Sequence, residues 1–115
     1  LFLAVFFPSV AFGQSFDGMY VLDGFTNSCD PAQAGMDGGP ALVEGDRLLM
    51  LDTWCTLANP VNVRDMDAVL YDGSCFLSGI GGDQSIRIKL GRSRGGGLMV
   101  VFNGHAFSMP QCVEN

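Results

Sequence analysis

The sequence is short of charge, and short of the charged helix formers lysine and glutamate in particular. It has one lysine, two glutamates and one histidine in 115 residues, and charged residues of every kind reach only 16%. Six basic side chains stand against twelve acidic ones, a formal net charge of −6. A nucleic-acid binder needs a basic footprint on the phosphates, so that class is disfavoured. Adhesion to an anionic bilayer is disfavoured on the same ground. Cys-x-x-Cys is missing, and His105 is the sole histidine. Neither a zinc site nor a thioredoxin-like redox pair is therefore signalled, and no cofactor is called for. A GxSxG elbow is missing as well, so no nucleophile is marked. Helices are few, because sixteen glycines are spread through the chain and each costs about 1 kcal/mol in a helix interior.

What the chain does have begins with Leu1 to Ala11, LFLAVFFPSVA, an uncharged apolar run. It falls short of the roughly 20 residues a membrane-spanning helix needs, and it matches the apolar region of a signal peptide. Ala11 and Gly13 supply the small pair before a cut between Gly13 and Gln14. The expectation is a signal peptide over 1–13, truncated at its start, and a single β domain over 14–115 with no membrane span in the mature chain. Localisation is then periplasmic or secreted.

Cys29, Cys55, Cys75 and Cys112 are spaced by 26, 20 and 37 positions. An even count in an exported chain predicts two disulfides, each stabilising by roughly 2–4 kcal/mol. Three pairings are open. The strand pattern is needed to choose among them.

Phe16 to Leu22 is the first strand candidate, and Asp23 to Gly39 reads as a long loop carrying Cys29. Glu44-Gly45-Asp46 separates two apolar arms as a hairpin turn would. Thr56 to Arg64 holds Asn59-Pro60, a turn signal, and is expected to bridge the sheet. Asp67 to Tyr71 reads as a strand followed by Asp72-Gly73. Ile86, Ile88 and Leu90 alternate with Arg87 and Lys89, one face in and one out. Leu98 to Phe102 is almost continuously apolar, as a buried strand is. Asn103-Gly104 is a strong hairpin signal, leading to His105–Met109 before Pro110. The fold expected is all-β, an antiparallel barrel or sandwich of six to eight short strands. If Asp72-Gly73 is a hairpin turn, counting strand directions puts Cys29 with Cys55 at one rim and Cys75 with Cys112 at the other. The pairing expected is Cys29–Cys55 and Cys75–Cys112.

Candidate working residues are few. Trp54 and Tyr71, with Met66, would suit the mouth of a small barrel, although a buried tryptophan packed beside a disulfide is the more common arrangement. Arg87, Lys89, Arg92 and Arg94 hold four of the six positive charges. Arg92 and Arg94 could contact an anionic ligand or partner group, but an outward strand face and a solvated loop is the preferred reading. Asp65, Asp67 and Asp72 could bind calcium or flank a glycosidic bond, yet their spacing is that of a solvated face. Ser78 to Gly82 and Gly95 to Gly97 precede strands, so they read as turns rather than phosphate loops.

Cys55 to Cys75 (CTLANPVNVRDMDAVLYDGSC) and the ending GGLMVVFNGHAFSMPQC resemble a group of small uncharacterised secreted proteins of Gram-negative bacteria. Those proteins also start with an aromatic-Gly-x-Tyr strand, here Phe16 to Tyr20. The resemblance implies export and a disulfide-bonded β fold, and no chemistry. A looser similarity is to periplasmic inhibitors of lysozyme and of secreted proteases. Ser78-Gly79 begins like the SGxxY loop of one such family, with Gly82 at the tyrosine position.

The function expected is that of a non-enzymatic secreted or periplasmic binding domain, an inhibitor or envelope accessory protein. An acidic domain of this kind suits a basic extracytoplasmic protein partner, because complementary charge steers encounter. The alternative is a small-ligand carrier lined by Trp54 and Tyr71. A hydrolase using Asp65, Asp67 and His105 ranks last.

Overall fold

The computed structural model describes residues 16–77 and 81–113. The expected leader over 1–13 lies outside those residues. Eight strands follow one another: β1 (Gly18–Tyr20), β2 (Ala41–Glu44), β3 (Arg47–Met50), β4 (Thr53–Asn62), β5 (Ala68–Leu77), β6 (Asp83–Arg92), β7 (Leu98–Phe102) and β8 (His105–Met109). Each pairs antiparallel with the next, without crossovers, in a single sheet. The sheet curls until the segment after β8 meets β1. There Tyr20 bridges Gln111, the Val21 amide donates to the Pro110 carbonyl at 2.8 Å, and the Cys112 amide donates to the Met19 carbonyl at 2.8 Å. The result is a nearly closed barrel, and the sandwich alternative falls away. Helical structure among the described residues is confined to two three-residue 3-10 turns, Pro31–Gln33 and Arg94–Gly96.

The turns explain most of the strand ends. Glu44 faces Arg47 across Gly45-Asp46, with Gly45 at φ 60°. Phe102 faces His105 across Asn103-Gly104, where both central residues have positive φ, 46° and 79°. That is the twist a two-residue hairpin requires. A meander of this kind puts the β2–β3, β4–β5 and β6–β7 turns at one rim, called lower here. The β1–β2, β3–β4, β5–β6 and β7–β8 connections lie at the upper rim.

Two expectations fail in the middle of the chain. Asn59-Pro60 does not end a strand: β4 runs through it, with the register shifting between Ala58 and Val61 and Asn59 at φ 54°. A bulge absorbs the extra residue and seats a proline that cannot join the ladder. Asp72-Gly73 is likewise no turn but the middle of β5, where Gly73 sits opposite both Leu57 and Ile86.

That second failure corrects the disulfides. With β5 straight, Cys75 stands directly opposite Cys55 on the neighbouring strand, and the two are bonded. Cys29, in the β1–β2 connection, bonds Cys112 just beyond β8. The expected Cys29–Cys55 and Cys75–Cys112 pairs do not form, because that count put a turn at Asp72-Gly73, where β5 runs straight on and carries Cys75 to the level of Cys55.

Inward residues fall into rows that follow the register. Val43, Leu48, Cys55, Cys75 and Gln84 make one; Val69, Leu90, Val100 and Phe107 another. Leu48, Val69, Cys75, Leu90 and Val100 have no accessible surface. Each fully buried aliphatic side chain contributes about 1.5–3 kcal/mol. The buried residues, from Phe16 to Met109, form one contiguous cluster along the interior. Gly73 shows how closely it is filled: an added Cβ would stand 2.7 Å from Cδ1 of Ile88 and 3.1 Å from the Ile86 carbonyl oxygen.

Candidate functional site

Strand alternation puts Trp54 on the face opposite Cys55, so it lies on the outer wall and not in a barrel mouth. It pairs across the ladder with Phe76, and the two rings stack with centroids 5.7 Å apart and planes 29° from parallel. Trp54 keeps 48% of its surface exposed and Phe76 40%. The indole Nε1 donates to the Gly35 carbonyl at 3.3 Å, which sets the ring's orientation from the long β1–β2 connection. On the next rung, facing inward, Cys55 and Cys75 lock the same two strands together. Extended sideways, the outward row reads Met19, Leu42, Leu49, Trp54, Phe76 and Asp83. Below it run Arg47, Thr56, Ser74 and Ser85, then Ala58, Asp72 and Arg87. The polar wall therefore carries an apolar band with an aromatic pair near the upper rim.

Arg92 continues the inward phase of Ile88 and Leu90. Its Nη1 donates to the Tyr20 hydroxyl at 3.3 Å, and its guanidinium lies 5.2 Å from the centroid of the Phe16 ring. Tyr20 in turn donates to the Phe16 carbonyl at 2.6 Å. These groups finish the lower end of the interior, and a cation over an aromatic face in such a place is a stabilising contact. Tyr71 points inward opposite Ile88 and packs on the core. Burial, and secondarily the charge of Asp17, raise its phenol above the ordinary value. Arg94 is exposed in the β6–β7 connection. Trp54, Tyr71, Arg92 and Arg94 thus form no common site: one is outside, two are inside, and one is at the lower rim.

The acidic residues are also dispersed. Asp65 is in the β4–β5 turn beside Arg64, 3.6 Å away and almost fully exposed. Asp72 is on the outer wall, accepting from Asn59 Nδ2 at 2.9 Å and 3.3 Å from Arg87 Nε. Exposed pairs of this sort contribute at most about 1 kcal/mol. His105 starts β8 at the upper rim, among Phe102 and Phe107. It and the lower-rim Asp65 and Asp67 are at opposite ends of the barrel, so they share no cleft. Among the described residues no group of three His, Cys, Asp or Glu side chains could hold a metal ion. The Ser78-Gly79 motif falls in 78–80, outside the described residues.

Sequence reasoning missed Phe76 and the inward turn of Arg92. Parity could have found both: Phe76 follows an inward cysteine, and Arg92 lies two residues after inward Leu90.

No protein family, curated protein or solved structure matches the chain. The fold itself defines the class: an eight-stranded antiparallel β-barrel with an interior row of side chains and two disulfides. No helix among the described residues is long and apolar enough to cross a membrane.

Proposed function

We propose that this protein is a non-enzymatic extracytoplasmic binding domain that acts through its outer surface on a basic protein, as an inhibitor or envelope accessory factor. The observation that carries this reading is an exposed, oriented aromatic pair on the outer wall beside a contiguous apolar cluster inside: buried side chains line the interior, and the Trp54–Phe76 surface open to solvent is outside. Tryptophan held in place is the residue type most often found at the energetic centre of protein interfaces. The two disulfides support an oxidising compartment. The net charge of −6 favours encounter with a cationic partner.

The test is calorimetric titration of the full chain, disulfides intact, against a basic lysozyme and a panel of basic secreted proteases, with their activities assayed in parallel. Binding at micromolar concentration or tighter, weakened by salt, is the expected result. No binding across the panel overturns the reading. A carrier would instead show a co-purified small molecule in native mass spectrometry.

A further inference from the structure

We propose that the Trp54–Phe76 face is the docking site, and that it takes an arginine side chain presented by the basic partner. This rests on the reading above and names its site and chemistry. Three observations meet here. First, the rings are already ordered: the Nε1 bond to Gly35, the stack with Phe76 and the Cys55–Cys75 bond on the adjacent rung hold both side chains before any partner arrives. Little rotamer freedom is then left to lose on binding. Second, carboxylates neighbour the pair in strand register and in sequence. Asp83 is the cross-strand partner of Phe76, Asp52 is two residues before Trp54 in the β3–β4 turn, and Asp37 follows the exposed Met36 beside Gly35. Third, Asp37, Asp52 and Asp83 make no ion pair among the described residues. Arg47 lies one outward row away and faces Glu44 across its own hairpin.

An aromatic surface with unpaired carboxylates at the neighbouring positions complements a planar cation. A guanidinium stacks flat on an indole while its edge donates to carboxylates, which a lysine ammonium cannot do as well. The surface is too acidic to invite an anionic ligand. A second copy of this chain, equally acidic, would bring like charges together.

Trp54 is the single tryptophan, so its emission reports on the site directly. The full chain is titrated with nona-arginine and nona-lysine peptides, neither of which fluoresces, and separately by calorimetry with a basic lysozyme. Nona-arginine should change Trp54 emission saturably and bind about fivefold or more tighter than nona-lysine. Phe76→Ala should weaken it about tenfold. Phe76→Leu, which keeps apolar area and protects the fold, should weaken it by about threefold or more. Asp52→Asn with Asp83→Asn should weaken it about tenfold and flatten its salt dependence. Circular dichroism verifies that each variant is folded. Equal affinity for the two peptides with unchanged emission overturns the proposal. So does saturation by a neutral oligosaccharide but not by nona-arginine, or a dimer in sedimentation that buries Trp54. Lysozyme binding that survives both Phe76 variants overturns this site while leaving the broader function standing. Nona-arginine binding at Trp54 without lysozyme or protease binding supports the site and counts against the inhibitor role.

Discussion

Gly73→Ala is the sharpest probe of whether the interior is filled. Gly73 has no left-handed backbone, so alanine fits its conformation. Restricting the unfolded chain would then favour the variant by about 0.4–1 kcal/mol. Opposing this, the new Cβ would sit 2.7 Å from Ile88 Cδ1, with the Ile86 carbonyl at 3.1 Å and Ile88 Cγ1 at 3.3 Å. Overpacking of this kind costs about 1–3 kcal/mol, so the net expectation is a loss of about 1–2 kcal/mol. Ile88→Val removes the offending Cδ1 and alone should cost about 1 kcal/mol through the space it leaves. In the double variant the new methyl takes up part of that space. The loss should fall short of the sum by about 0.5 kcal/mol or more. Relief is partial because the carbonyl stays. Urea unfolding with disulfides intact measures all four corners of the cycle, with m required to stay constant. A neutral or stabilising Gly73→Ala, or simple additivity, would mean slack in the barrel at this level. The argument against an interior ligand would then lose its basis.

Four further outcomes follow from the structure. Peptide mapping under non-reducing conditions should recover Cys29–Cys112 and Cys55–Cys75; recovery of a Cys29–Cys55 peptide would contradict the β4–β5 register. Replacing Cys29 and Cys112 by alanine opens a closure spanning 83 residues and should lower stability by about 4–5 kcal/mol in the chain-entropy account, read by urea unfolding. Arg92→Met removes the hydrogen bond to Tyr20 and the contact over Phe16 and should cost about 1–3 kcal/mol; no loss would show that the lower end of the interior is held by apolar packing alone. The raised phenol of Tyr71 means the folded state keeps its proton after the unfolded chain has released it. Its contribution is whole below about pH 10 and is lost as pH rises through the folded value. Alkaline unfolding should therefore be shallower in Tyr71→Phe, and Asp17→Asn should move the ultraviolet phenolate titration of Tyr71 downward.

The legible parts of this fold are those set by neighbours in sequence. β7 and β8 fall where the apolar run, Asn103-Gly104 and Pro110 put them. The inward Ile86, Ile88 and Leu90 follow from a period of two. The errors cluster where one local signal has two meanings. Asn-Pro and Asp-Gly mark turns in most chains, but here a ten-residue β4 and a ten-residue β5 cross them, supported by cross-strand partners far off in the chain.

Composition, turn chemistry and alternation by themselves determined an all-β chain, its later strands and the faces those strands present, because each depends on a few adjacent residues. Only the tertiary structure decided which cysteines meet, that Phe76 comes beside Trp54 on the outer wall, and that Arg92 closes the lower end of the interior. Those outcomes depend on register and on the curl that brings β1 to the segment after β8. Register and closure are properties of pairs of distant strands, and no short window of sequence contains both members.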